Sequence, residues 1–180
     1  METNLNQTAK ETLKVIHNRK SVRHFKTGEV SKENIEILLK AGMAAPSAVN
    51  SQPWEFIVVK NRKVLDEMAD GLPHAKMLFQ ATAAIVVCAV KEKAHRQSEE
   101  FAIIDATLAS ENILLAAESL GLGSIWTAAY PYEDRQNIVR KSLHIPDSII
   151  PLNVIPIGFP TGEDLPKEKY NESKIHWEKW

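Results

Sequence analysis

The stretch "FAIIDATLASENILLAAESL", residues 101 to 120, constrains the fold more than any other part of the chain. It contains neither Pro nor Gly, and its apolar residues recur at helical spacing, so it predicts the longest helix. Phe101, Ile104, Leu108 and Leu115 fall on one side; Ile113, Ala116, Ala117 and Leu120 fall on another. A helix apolar over so wide an arc must be covered nearly all round, in the middle of a domain or at a subunit interface.

The flanking segments show what could cover it. Leu5, Ala9, Leu13 and Ile16 predict a first helix ending near "HNRKS". Ser31 suits an N-cap for a second, with Ile35, Leu38, Leu39 and Met43 turned inward and Pro46 ending it. "WEFIVVK", 54 to 60, reads as a strand, "RKVLDEMAD" as a short helix, and "AAIVVCAV", 83 to 90, as a strand buried on both faces. "GSIWTAA" is expected as one strand, 133 to 143 as a helix and "IIPLNVIPIGF" as a last strand. The polar tail from Thr161 keeps Tyr170, Trp177 and Trp180, which an arm laid over a second subunit would bury. Mixed helices and about four core strands give an α+β or α/β sandwich. No linker or repeat divides residues 1–180, so one domain is expected.

Composition excludes several functions. With 22 basic and 23 acidic residues the net charge is −1, which argues against a general nucleic-acid or membrane binder. The longest apolar run, Ala83 to Val90, is too short to span a bilayer, and residues 1 to 18 hold no continuous apolar signal region. The single Cys88 sits within a buried strand pattern and suits a reducing cytoplasm. The six histidines include no pair at metal-ligand spacing, so no metal is expected. "GLGS", 121 to 124, follows a helix and precedes a strand, the reverse of a dinucleotide fingerprint, and reads as a helix C-cap.

Two stretches carry chemistry. "RKSVRHF", 19 to 25, gathers Arg19, Lys20, Ser21 and Arg23 at a helix end; two guanidinium forks and a hydroxyl make a phosphate clamp, and a solvated helix C-terminus is the plainer alternative. "APSAVNSQPWEF", 45 to 56, places Ser47, Asn50 and Gln52 where a loop would line a cleft, able to bond a flat polar ring or merely to turn the chain. Lys76, Lys167 and Lys169 matter if they converge with the clamp. With no nucleophile or acid–base pair in evidence, a bound cofactor is the natural carrier of any reaction.

These pieces resemble the FMN-dependent nitroreductase family. The resemblance rests on "NRKSVRHF" at 18 to 25, "AAPSAVNSQPWEFIVV" at 44 to 59, "GLGSIWTAA" at 121 to 129 and "GFPTGEDLPKEKY" at 158 to 170, in the family's order. It implies a nitroreductase-like α+β three-layer sandwich: a central, mainly antiparallel sheet of about four to five strands flanked by helices. It also implies a homodimer that exchanges C-terminal arms and holds FMN at the interface. Arg19, Ser21 and Arg23, with Lys20 beside them, would hold the FMN phosphate and nearby atoms, and Lys167 and Lys169 would complete that site. Pro46, Ser47, Ala48 and Asn50 would line the ring and ribityl chain, partly from the other subunit. Thr127, Ala128 and Ala129 would face the flavin N5 edge, and Lys76 the pyrimidine side.

The implied activity is ping-pong transfer of hydride from NADH or NADPH through flavin N5 to a small electron acceptor such as a nitroaromatic or quinone. No side chain is required as acid or base, and neither nucleic acid nor membrane is a partner. A specialised flavoenzyme acting on one metabolite, and a flavin-binding module without turnover, are the alternatives. Lys169 stands where many members have Arg, and Ala128 where one subgroup has Glu, so the N5 contact would fall to the backbone. The short segment from Lys91 to Glu100 implies an open pocket.

Overall fold

A computed structural model describes residues 5–180. Five α-helices run in the order α1 (Gln7–Asn18), α2 (Lys32–Met43), α3 (Arg62–Gly71), α4 (Glu99–Ser119) and α5 (Glu133–Leu143). The strands are β1 (Phe25–Lys26), β2 (Trp54–Val59), β3 (Ala83–Val90), β4 (Gly123–Ser124), β5 (Thr127–Ala128) and β6 (Ile149–Pro160). All pairings are antiparallel in the order β1-β6-β3-β2, with β4 and β5 also on β6.

The period of two along β3 builds the layers. Ala83, Ile85, Val87 and Ala89 pack with Ile35 and Leu38 of α2 and with Ala102, Ala106, Ala109 and Ile113 of α4. Ala84, Val86 and Cys88 face the opposite layer, with Leu65 and Met68 of α3 and Val139 of α5. The α+β three-layer sandwich is as expected. The run of alanines on the core side of α4 lets that helix lie close to the sheet. Its other side, Phe101, Ile104 and Leu108, is exposed. α1 buries no residue at all.

Three details depart from expectation. Met43 is exposed rather than inward; Gly42 takes the core contact at the end of α2, where a Cβ would stand 3.0 Å from Ile113 Cγ1. "GSIWTAA" is two short strands, with Gly123 opposite Gly158 and Thr127 opposite Val154. The gap falls beside Pro156: the Ile157 carbonyl turns toward β3, accepting from Thr82 N–H, so alternation puts the missing Pro156 donor on the β4–β5 side. Pro151 is tolerated in β6 because it sits at a register shift opposite Val87 and Cys88. The third is β1, whose two residues carry no periodic pattern.

Candidate active site

Pairing of β1 with β6, Phe25 with Pro160 and Lys26 with Phe159, brings both flanks of those strands together. The preceding residues 19–24 thus lie beside the tail that follows Pro160. Thr161 N–H donates to the His24 carbonyl at 3.1 Å. Asp164 then fastens the two segments: one carboxylate oxygen accepts the backbone N–H groups of Arg23 at 2.8 Å and His24 at 3.1 Å, with His24 Nδ1 at 3.2 Å. Burial pushes this carboxyl up, but the hydrogen bonds from Arg23 and His24 outweigh it and hold it below the ordinary aspartate range. Every other residue from 161 to 180 is exposed.

The result is a cleft of about 450 Å³ lined by Arg19, Lys20, Ser21, Arg23, Lys167 and Lys169 together with Glu163, Asp164, Leu165 and Pro166. Five cations and two acids therefore line it, and one of the acids is already occupied with backbone donors. Arg19 Nε lies 3.4 Å from Glu111 of α4. Lys20 is committed elsewhere, its ammonium lying 3.1 and 3.2 Å from the two oxygens of Glu118. It pins the segment to α4 rather than facing the cleft as freely as Arg23 or Lys167. Arg23 also lines a second cleft of about 300 Å³, with Trp126, Thr127, Ala128, Pro73, His74 and Arg135 among its walls. One guanidinium is shared by a polar cleft suited to a dianion and a more apolar one.

The other sequence-predicted residues sit differently. Thr127 Oγ1 is buried without a hydrogen-bond partner beside the second cleft, a polar atom a ligand could satisfy. Ala129 lies behind it, buried, with its N–H donated to the Leu152 carbonyl at 3.1 Å. Lys76 lines neither cleft; its ammonium donates to the Ala69 carbonyl at 2.8 Å at the end of α3. Pro46, Ser47, Ala48 and Asn50 also lie outside both clefts. Ala48 N–H donates to Asp105 of α4, at 3.3 and 3.2 Å from its two oxygens. Asp105 precedes Glu111 and Glu118 by six and thirteen residues, roughly 9 and 20 Å of helix.

That loop is nonetheless unusual. Val49, Asn50 and Gln52 have φ of 50°, 57° and 49°. For a β-branched residue this is a genuine outlier, costing of order 1–3 kcal/mol, and Val49 is 75% exposed, so its own packing does not offset the cost. Ser47 Oγ accepts Gln52 N–H at 3.0 Å, closing the turn from within. Sequence reasoning missed Asp105 and Asp164, the two carboxylates that position these segments. The only signal for either was an acid in an apolar helix and an acid beside "LPK" in the tail.

The model of the nitroreductase family matches residues 16–72 and 70–159. The chain belongs to the nitroreductase family. Within the family it is 43% identical over 173 residues to a protein of Archaeoglobus fulgidus provisionally named NADH dehydrogenase/NAD(P)H nitroreductase, covering 94% of this chain and 99% of the relative. A crystal structure of a protein with the same provisional name from Parabacteroides distasonis superposes with a TM-score of 0.90 at 54% identity, covering 94% of this chain and 99% of that one. An FMN-dependent nitroreductase from Clostridium difficile R20291 gives a TM-score of 0.82 at 31% identity, covering 93% and 99%. No helix among the described residues of this nitroreductase-family chain is long and apolar enough to cross a membrane.

Proposed function

We propose that the chain is an FMN-dependent oxidoreductase that takes hydride from NADH or NADPH and passes the electrons to an electron-poor acceptor such as a nitroaromatic or a quinone. One observation carries the reading: Arg19, Lys20, Ser21, Arg23, Lys167 and Lys169 line a single cleft, and Arg23 extends from it into the neighbouring cleft lined by Thr127 and Ala128. Arg19, Arg23, Lys167, Lys169 and the Ser21 hydroxyl supply the donors a phosphate monoester dianion needs. Thr127 and Ala128 supply polar backbone and an unpaired hydroxyl at the edge of the second cleft, so the residues present fit FMN. Family membership and the Clostridium difficile neighbour named for FMN support the same assignment.

Bound FMN supplies the two-electron chemistry, since it can accept a hydride and later give up both electrons. The chain's own residues bind and orient. Cations fix the phosphate, and Arg23, at the junction of the clefts, places a fixed positive charge toward the ring side, where negative charge develops on reduction. No side chain in either cleft is required to transfer a proton.

We assign the working form as a homodimer. Support comes from the exposed apolar side of α4, from α1 without a buried residue, and from Trp177 and Trp180 in the tail, 83% and 101% exposed. In this reading the 46–50 loop, remote from its own chain's clefts, serves the partner's flavin. We assign the reducing cytoplasm as compartment, where the lone thiol of Cys88 is at home. The test is the absorbance spectrum of purified protein after incubation with FMN and gel filtration. A retained flavin band that bleaches anaerobically with NADH or NADPH is expected; a colourless protein that retains no FMN overturns the assignment.

A further inference from the structure

Asp105 is the one acidic residue buried in the core face of α4, 3% exposed among Ala102, Ala106 and Ala109. A buried carboxylate in such company is expensive unless it is bonded. Its hydrogen bond is to Ala48 N–H, which enters the loop holding three left-handed residues. A backbone with those dihedrals persists only when its surroundings over-determine it. Ser47 closes the turn internally, and Asp105 is its anchor to the rest of the fold.

We propose that Asp105 is a positioning residue for the ring side of the flavin site, holding the 46–52 loop so that Ser47 and Asn50 are presented to the ligand in fixed geometry. The proposal rests on the flavin assignment above. Ile104, next to Asp105, lies on the exposed apolar side of α4. The same turn of helix therefore meets the core, the loop and the face assigned to the partner.

The experiment uses the full chain and three variants, Asp105→Ala, Asp105→Asn and Ala48→Pro. Asn keeps an oxygen that can accept Ala48 N–H. Proline removes that N–H at the first position of a 3₁₀ helix, after an extended Ser47 (φ −143°, ψ 155°) that suits a following proline. It acts from the loop side, so the proposal stays testable if Asp105→Ala does not fold. Two readouts are taken: hydrogen exchange of flavin-free protein over residues 44–53 and 83–90, and dissociation constants for FMN and riboflavin from quenching of flavin fluorescence.

Asp105→Ala and Ala48→Pro are expected to speed exchange in 44–53 without changing 83–90, and to weaken FMN and riboflavin alike by about tenfold, non-additively when combined. Asp105→Asn is expected to stay within about threefold of wild type. Unchanged exchange and flavin affinity in Asp105→Ala, or Asp105→Asn as impaired as Asp105→Ala, overturns the positioning role while leaving the flavin assignment standing. Wild-type protein that takes up no flavin overturns the assignment, and with it the ligand named here.

Discussion

Replacing Asp164 with Ala tests how the site is assembled. The carboxylate accepts backbone N–H groups from Arg23 at 2.8 Å and His24 at 3.1 Å, and otherwise the tail is exposed. Hydrogen bonds to a charged group contribute about 1.5–3 kcal/mol each when buried. Arg23 and His24 are exposed, so water replaces part of the loss, and about 2 kcal/mol for the pair is the reasonable figure. That corresponds to roughly thirtyfold in the docked population of the tail, and it sets the ceiling on what Lys167 and Lys169 lose as the proposed phosphate ligands. FMN affinity, read by fluorescence quenching, should fall by ten- to thirtyfold, while riboflavin affinity, which has no phosphate to lose, changes little. Because the folded carboxyl is held below the ordinary aspartate range, its contribution is fully present above the unfolded value near ~3.9 and is lost only as pH falls through the lower folded value. The gap between wild type and variant should therefore persist from neutral pH down to about pH 5. Equal FMN affinity in the two proteins, or an equal loss of riboflavin, refutes the reasoning.

Three further outcomes follow from the packing. A Cβ at Gly123 would stand 2.6 Å from Val22 Cγ1 and 3.0 Å from Phe25 Cε1, so Gly123→Ala should cost about 1–3 kcal/mol in urea unfolding, and Val22→Ala should recover part of it. Burial pushes the Cys88 thiol up to about 12, so a thiol-specific disulfide reagent should leave native protein unlabelled and modify one thiol per chain in guanidinium; rapid native labelling contradicts the packing. Sedimentation should give twice the chain mass, and deleting residues 171–180 should shift that equilibrium toward single chains; a monomeric wild type would remove the dimer from the account.

The layers were legible because β3 is apolar on both faces, which calls for a sheet covered on each side, and because one side of α4 carries the small apolar residues that pack on it. The cation-lined cleft was legible as composition: cations and a hydroxyl at 19–23, and lysines at 167 and 169. Its assembly was not. β1 is two residues long, too short for any periodicity, yet its register on β6 brings the two segments together. Asp164 and Asp105 were invisible for a related reason, since a carboxylate that bonds backbone N–H groups far along the chain leaves no spacing to read. The break in "GSIWTAA" came from a missing donor in another strand, Pro156. The left-handed residues at 49, 50 and 52 carry no glycine to announce them.

If separated cations gather around one phosphate, the affinity gap between FMN and riboflavin in the wild-type protein measures it most directly. Charge-assisted bonds from several cations predict FMN bound at least about a hundredfold more tightly, with the gap shrinking in Arg19→Ala and in Lys167→Ala. Riboflavin bound as tightly as FMN would contradict it.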